Sequence, residues 1–150
     1  MSRRDRERKL REPETNTTYL LRRAHEYLNR RILDGVTADG HPMRPAHAAV
    51  FTNIDRAGSR LTQLAERATM TPQAMGELVD DLVERGYVER IPDPSDRRAK
   101  LIMLTDLGYD AVQAAFDTII GIEADLQAEL GPTGLTRLQN ALRRIAEEPT

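Results

Sequence analysis

Three polar side chains near the start of one predicted helix have the chemistry needed to recognise DNA bases. The amide of Gln73 can pair bidentately with adenine, and the carboxylate of Glu77 can accept a hydrogen bond from cytosine N4. The hydroxyl of Thr71 can reach a base or a phosphate oxygen. Pro72 and Gly76 lie beside them, and Gly76 has no side chain to obstruct a close approach of the backbone. An ordinary solvated helix face is the alternative for Gln73 and Glu77.

The helix that presents these residues is predicted from Pro72 to Arg85. Apolar residues recur along it at the i, i+3, i+4, i+7 spacing of one helix face, namely Met75, Leu78, Val79 and Leu82. Thr71 is a good N-cap, Pro72 suits the first helical position, and Gly86 suits the left-handed position that ends a helix. The polar side chains therefore lie on the opposite face of an amphipathic helix.

A shorter predicted helix precedes this one, and a basic hairpin follows it. The shorter helix is marked by four apolar residues, Leu61, Leu64, Ala65 and Ala68, and residues 69–71 join it to the next helix. Residues 87–92 and 99–104 predict two short strands, with a polar hairpin tip at residues 93–98. This order is typical of a winged helix-turn-helix, whose second helix enters the DNA major groove.

The segment LTQLAERATMTPQAMGELVDDLVERGYVERIPDPSDRRAKLIMLTDLG closely resembles the core of the MarR (multiple antibiotic resistance regulator) family of transcription factors. The resemblance includes a D-x-x-D-x-R pattern in the wing, formed by Asp93, Asp96 and Arg98. It implies a mainly α fold with a small β-hairpin wing, and a two-fold dimer of interleaved first and last helices. Family analogy also implies that the aspartates and Arg98 brace the hairpin, while Arg97 enters the minor groove.

Acidic residues limit how the predicted helix can approach DNA. Four carboxylates lie along it, those of Glu77, Asp80, Asp81 and Glu84. They would repel phosphates in a deep groove, so we expect only the first turn and a half to approach the bases. The wing must then supply attraction, through Arg97, Arg98 and Lys100. Glu77 departs from the family, where a basic residue often stands nearby, and Ser95 stands where Arg is frequent. A solvated hairpin without DNA contacts is the alternative.

Patterns for catalysis and for metal binding are absent from the sequence. It contains no phosphate-binding Gly-rich loop, no H-E-x-x-H and no G-x-S-x-G. Its histidines, His25, His41 and His47, lack metal-ligand spacing, and without Cys a structural zinc site is not expected. We therefore expect no enzyme activity, no cofactor and no metal.

The family resemblance also suggests a place for an effector, because many relatives bind small aromatic or anionic molecules near the dimer helices. His25 and His47 could polarise a small cavity there. Tyr19, Arg44 and Phe51 are candidates to join them. The alternative is that each histidine is structural or solvated.

Composition indicates one helical domain of 150 residues, with 39% apolar and 31% charged residues. The absence of an 18-residue apolar run, a signal peptide and Cys predicts a cytoplasmic protein without a membrane partner. A net charge of −2 argues weakly against a general nucleic-acid binder. Basic residues crowd the N-terminus, however, at Arg3, Arg4, Arg6, Arg8, Lys9 and Arg11. We expect residues 1–14 to form a flexible, solvated arm, with DNA contact as the alternative.

The remaining helices are predicted on both sides of the core. Helices are expected from Thr17 to Leu33 and from Pro45 to Asp55, with a turn from Gly35 to Pro42 between them. A long helix should run from Thr105 to about Leu130, where Gly131-Pro132 breaks it. A last helix is marked by Leu135, Leu138, Leu142 and Ile145.

These helices should hold two chains together. In one small domain their apolar faces would have little to cover them, which favours a homodimer over packing within one chain. Residues 1–150 would then form a single domain, with a winged helix-turn-helix core at residues 44–104 and dimerisation helices at 15–40 and 105–148.

The sequence therefore predicts a DNA-binding transcriptional regulator that binds double-stranded DNA as a homodimer. We expect a ligand-responsive repressor that recognises a pseudo-palindromic operator. The alternative is a winged-helix protein-interaction module, whose acidic helix face would dock a basic protein instead of DNA.

Overall fold

The computed structural model describes residues 16–147, so the predicted N-terminal arm, residues 1–14, lies outside the described residues. Within the described range, helices and a two-stranded sheet follow one another along the chain as α1 (Thr17–Ala38), α2 (Ala48–Phe51), α3 (Leu61–Arg67), α4 (Pro72–Glu84), β1 (Val88–Asp93), β2 (Asp96–Leu104) and α5 (Asp106–Ala146). A 3-10 turn, Pro45–His47, leads into α2. The predicted class, mainly α with a β-hairpin wing, is confirmed.

Helix α4 forms as its sequence pattern predicts. The side-chain oxygen of Thr71 accepts a hydrogen bond from the backbone N–H of Ala74, which caps the helix N-terminus. Gly86 follows the C-terminus with a φ of +83°, the left-handed conformation expected there. The apolar face is buried as predicted, at Met75, Leu78, Val79 and Leu82. These side chains form the centre of the core, against α3, β1, β2 and the start of α5.

The wing is an antiparallel hairpin with a shorter tip than the sequence predicts. Asp93 pairs with Asp96 in the register, so only Pro94 and Ser95 connect the strands, and the prediction of a tip at residues 93–98 was wrong. Both the side chain and the backbone N–H of Ser95 donate to Asp93, which tightens the turn. The charged start of β2 resembles a loop in sequence because this strand projects into solvent.

Helix α1 continues through the stretch for which the sequence predicts a turn. It ends at Ala38 rather than Leu33, and Gly35 lies inside it. A Cβ added at Gly35 would overlap the side chain of Thr118 on α5, so the glycine permits the two helices to pack closely. Arg31 and Asp125 add an ion pair of 2.6 Å across the same pair of helices. Tertiary packing therefore offsets the helix-weakening effect of glycine, which is about 1 kcal/mol.

The second predicted helix is much shorter than the range from Pro45 to Asp55. Helix α2 ends at Phe51, where polar side chains bond back to its own carbonyl groups. The hydroxyl of Thr52 donates to the carbonyl of Ala48 at 2.7 Å, and the amide of Asn53 donates to that of Ala49 at 2.8 Å. Such local side-chain bonds compete with helix continuation, which explains the early end.

Helix α5 contains the predicted break. Thr105 caps its N-terminus through the N–H of Gly108, and the helix continues to Gly131, which has a non-helical φ of 70° and ψ of 162°. A second helical segment follows and ends at Ala146, with Leu135 buried and Leu138, Leu142 and Ile145 exposed. Among residues 16–147, no helix is long and apolar enough to cross a membrane.

The close contact at Gly35 gives a stability test. Gly35→Ala should lower the free energy of unfolding by about 1–3 kcal/mol, because the new methyl group must displace Thr118 from a packed helix interface. Gly121→Ala is the matched control on α5, where an added Cβ meets nothing within 4 Å, so this variant should gain about 0.5–1 kcal/mol. Urea unfolding at one fixed protein concentration measures both changes. Equal stabilisation of both variants would contradict the close packing.

Candidate nucleic-acid interface

The N-terminal half of α4 presents a polar edge opposite its buried face. Thr71, Pro72, Gln73 and Glu77 are all exposed. Gln73 and Glu77 are one helical turn apart, so their side chains lie on the same side of the helix. The structure therefore brings the predicted base-reading residues together on one surface, as the helix periodicity indicates.

Gly76 lies on α4 beside a side chain of α3. A Cβ added there would meet Leu61 of α3 at 3.7 Å, an ordinary van der Waals distance. Gly76 therefore sits beside the contact between α3 and α4. Its proposed role in a close approach to DNA stays a prediction.

Two of the four carboxylates on α4 are neutralised within the chain. Asp80 accepts from Arg90 of β1 at 2.6 Å. Asp81 pairs with Arg85 at 3.1 Å and with Arg44 at 3.0 Å, and it also contacts His47. Hydrogen bonds from Arg85 and then from His47 lower the pKa of Asp81 to about 2. The acidic character expected of this helix is therefore smaller than its sequence indicates.

The wing is braced by an arginine that sequence reasoning did not identify. Arg60, directly before α3, donates its Nε–H to Asp93 at 2.8 Å, and its terminal nitrogen lies 2.7 Å from the same carboxylate oxygen. The expectation that Arg98 braces the hairpin was wrong, because the Asp93 carboxylate is occupied by Arg60 and Ser95. Arg98 uses only its backbone N–H there, which donates to Asp96 at 3.0 Å. The Arg60–Asp93 pair fixes the wing against the helix-turn-helix.

The environment of Asp93 explains the strength of this brace. Asp93 is 6% exposed. Its Oδ1 accepts from Ser95, and its Oδ2 accepts from Arg60. Hydrogen bonds from the hydroxyl and the N–H of Ser95, followed by those from Arg60, lower the pKa of Asp93 to about 2. Because Arg60 and Asp93 are far apart in sequence, no local pattern could reveal their pairing.

Strand β2 carries three cationic side chains after the Arg60–Asp93 pair: Arg97, Arg98 and Lys100. All three are exposed, and none forms an ion pair with another residue in the range 16–147. Their charges are available to an anionic partner on the wing that follows α4. This is the charge distribution required for contacts with a phosphate backbone.

The residues predicted for an effector site do not line one cavity in this chain. Tyr19 and His25 are exposed on α1, where His25 bonds with Asn29. Arg44 and His47 meet at Asp81 instead, and Phe51 packs against Tyr87 with ring centroids 6.3 Å apart. His47 and Phe51 are therefore parts of the packed core.

Two open grooves on the surface of residues 16–147 contain none of the predicted effector residues. One, of about 760 Å³, is lined by the end of α5, at Arg137, Asn140, Ala141, Arg143, Arg144 and Glu147. The other, of about 400 Å³, follows α1 at Leu20, Arg23, Ala24, Glu26, Tyr27 and Arg30. Within residues 16–147, no cluster of three or more His, Asp or Glu side chains is arranged to hold a metal ion.

Comparison with known proteins agrees with this geometry. The model of the MarR family matches residues 41–99, which include α2, α3, α4 and most of the wing. The Escherichia coli transcriptional regulator HosA is 31% identical over 72 residues, which cover 48% of this chain and 53% of HosA. An uncharacterized protein of Mycobacterium tuberculosis is 27% identical over 126 residues, covering 84% of this chain and 82% of the relative.

Solved structures extend the similarity to the flanking helices. The transcriptional repressor CouR, solved bound to a 23-mer DNA duplex, aligns with a TM-score of 0.70 and 28% identity over 88% of this chain and 93% of CouR. Apo MarR from E. coli aligns with a TM-score of 0.73 over 91% of this chain and all of MarR, at 20% identity, and so shows the fold alone.

Fold and site together define a winged helix-turn-helix protein, an architecture similar to that of the DNA-bound repressor CouR. The core of the chain, residues 41–99, matches the MarR family, as the resemblance of its sequence implied. The MarR family, which this core resembles, consists of transcription regulators rather than enzymes.

The brace of the wing should appear in the acid dependence of stability. Because the folded-state pKa of Asp93 is lowered to about 2, its contribution is present above its ordinary pKa of 3.8 and is lost as pH falls through about 2. Asp93→Asn should reduce the fall in unfolding free energy over this window, leaving a residual dependence from Asp81. Urea unfolding at a series of acidic pH values measures it. Asp110→Asn, at an exposed site on α5, should keep the full dependence, and an unchanged profile in Asp93→Asn would contradict the assignment.

Proposed function

We propose that this protein is a sequence-specific transcriptional regulator that binds a pseudo-palindromic DNA operator as a homodimer and acts as a ligand-responsive repressor. Residues 44–104 would read DNA, and residues 15–40 and 105–148 would hold the dimer together within a single domain. A cytoplasmic location fits this role. The observation that carries the proposal is the placement of an exposed polar helix edge, on α4, in the same braced unit as a wing with three uncompensated cations.

The two parts of this surface would make different contributions to binding. Gln73 and Glu77 carry hydrogen-bonding groups suited to adenine and cytosine edges in a major groove. Arg97, Arg98 and Lys100 would contact phosphates or the adjacent minor groove and add affinity without reading sequence in the same way. The ion pair between Asp80 and Arg90 supports this reading, because it removes one charge that would repel DNA.

The known partners of relatives support the same function. One structure of CouR contains a DNA duplex. Another, of CouR from Rhodococcus jostii, contains p-coumaroyl-CoA, which combines an aromatic ring with anionic phosphates. The latter structure is 25% identical and covers 90% of this chain, with a TM-score of 0.69. We therefore propose a small aromatic or anionic effector for this protein as well. The contributions of Tyr19, His25, Arg44, His47 and Phe51 to its site stay predictions.

A protein-interaction module is less well supported by the structure. That alternative relies on an acidic α4 docking a basic partner, yet Asp80 and Asp81 are already paired with arginines of the same chain. The exposed wing is basic instead, which suits an anionic partner.

Exposed apolar side chains support the proposed dimer. On the last segment of α5, Leu138, Leu142 and Ile145 are 40%, 38% and 63% exposed, although they occupy one helix face. On α1, Leu20 and Tyr27 are 57% and 58% exposed. Covering both faces with a second chain would remove apolar area from water and gain about 25 cal/mol per Å². The two-fold symmetry would also present two α4 helices to successive major grooves.

Leu142→Asp tests the dimer. The carboxylate would be buried without a partner in the interface, which costs several kcal/mol, whereas the single chain leaves this position partly exposed. We expect a folded monomer by light scattering and circular dichroism. Ala57→Asp, which adds the same charge to an exposed loop, should remain dimeric. A monomeric unmutated protein at micromolar concentration would refute the dimer.

Two substitutions should separate attraction from sequence reading. Arg97→Ala removes one cation, so it should weaken binding to all duplexes and make the slope of log K against log salt shallower by up to about 0.9. Gln73→Ala should keep that slope and lose about 1–3 kcal/mol of discrimination at one base pair. Fluorescence anisotropy on genome-selected and scrambled duplexes, across a salt series, measures both.

Arg137→Ala is the matched control, because it removes a cation from α5 away from the α4 and wing surface. It should retain both affinity and specificity. Half-sites in the selected fragments should be about one helical turn, roughly 10 bp, apart. Equal binding of selected and scrambled DNA, or no binding to either at low salt, would overturn the proposed function.

A further inference from the structure

A fully buried histidine joins the segment after α1 to the helix that would read DNA. His47 is 0% exposed and lies in the 3-10 turn that precedes α2. Its Nε2 is 2.6 Å from a carboxylate oxygen of Asp81 on α4. Its Nδ1 accepts a hydrogen bond of 3.0 Å from the backbone N–H of Arg44. Both ring nitrogens are therefore used, one toward each structural element.

These two contacts define the protonation state of the ring. A backbone N–H can only donate, so Nδ1 must be the unprotonated acceptor, and the single proton of neutral imidazole lies on Nε2. That N–H donates to Asp81. A second proton on Nδ1 would face the N–H of Arg44 and would abolish this hydrogen bond.

The surrounding charges also oppose a cationic ring. Arg85, directly after α4, and Arg44 already pair with the Asp81 carboxylate, so a protonated His47 would be a third cation around one anion. Burial, opposed in part by Asp81, lowers the pKa of His47 below its usual range. The other buried histidine, His41, lies against Tyr87, with its Nδ1 3.4 Å from the phenol oxygen.

The contact between His47 and Asp81 can affect the position of α4. It lies one helical turn after Glu77 on α4, so a displacement at Asp81 moves the helix that carries the proposed base-reading residues. Arg44 and His47 follow α1, which packs against α5 through Gly35 and Arg31. The histidine therefore connects the long helices to the polar edge of α4.

We propose that His47 is a positioning residue for DNA binding, whose neutral ring ties α4 to the segment after α1 and whose protonation breaks this tie at the Arg44 N–H. The inference rests on the proposed function, because it assigns a control element to the same DNA-reading surface. The direction in which DNA affinity changes with pH follows from this geometry. Affinity is full when His47 is neutral and falls with acidification below the ordinary pKa of 6.5.

Two variants divide the contacts of the ring, and neither side chain titrates. His47→Asn keeps an acceptor near the Nδ1 position for the Arg44 N–H, but it is too short to reach Asp81. His47→Gln places a donor near the Nε2 position for Asp81, but it leaves the Arg44 N–H without that acceptor. His41→Gln is the matched control, because His41 is also buried but its ring contacts Tyr87 instead of Asp81.

The first measurement needs no DNA. Nitrogen-15 spectra of the unmutated full chain should show His47 protonated on Nε2 alone at neutral pH, with His25 as an internal reference. Protection of α4 amides against hydrogen exchange should fall when His47 titrates, and it should not depend on pH in this window in His47→Gln. A ring protonated on Nδ1 at neutral pH would overturn the inference, and so would titration of His47 without any change in α4 protection. Both results come from the unmutated protein, so they do not depend on whether a variant folds.

The second measurement uses the genome-selected duplex at constant ionic strength. Between about pH 7.5 and 5, the unmutated protein and His41→Gln should lose affinity by about 5-fold or more, the range of typical coupling between sites, while His47→Gln and His47→Asn change less than about 2-fold. Identical pH profiles in all four proteins would overturn this inference and leave the proposed function intact. Absence of specific binding at every pH would refute the proposed function, while the spectra would still report on the contact.

Discussion

The structure depends on burial of one face of α4. Met75, Val79 and Leu82 are fully buried, and each such side chain contributes about 1.5–3 kcal/mol of transfer free energy. A rotation of the helix that exposed them would be costly, so the opposite edge with Gln73 and Glu77 must face solvent. The same packing that stabilises the fold therefore determines which side chains are available to a partner.

Ion pairs then set the position and charge of the elements around this helix. Arg60 holds Asp93 and so ties the wing to the beginning of α3, while Arg90 and Arg85 reduce the negative charge of α4. These contacts shift the electrostatic balance of the surface toward the cations of β2. A chain with a net charge of −2 can in this way present a basic edge suited to DNA.

The long helices contribute a different property, because they pack against each other and still leave apolar surface exposed. Gly35 permits α1 and α5 to approach closely, and the bend at Gly131 redirects the last segment of α5. Leu138 and Leu142 of that segment remain partly exposed within the described residues. The segment that follows α1 then contacts α4, because Arg44 and His47 both bond to Asp81.

The sequence by itself determined the elements whose signals are local. Helical periodicity, Thr71, Gly86 and the Gly131-Pro132 pair located α4 and the break in α5, because caps and amphipathic faces depend on residues within one or two turns. Periodicity also placed Gln73 and Glu77 on the same exposed edge. The core sequence resembled the MarR family closely enough to predict the fold class correctly.

Only the tertiary structure decided the features that join distant residues. Helix α1 passes through Gly35 because α5 packs there, and β2 starts at Asp96 because Arg60 and Ser95 hold Asp93 in place. His47 was expected near an effector but is buried against Asp81, since folding brings α4 beside the 3-10 turn. Such pairings depend on the three-dimensional path of the chain, and no spacing within a single element encodes them.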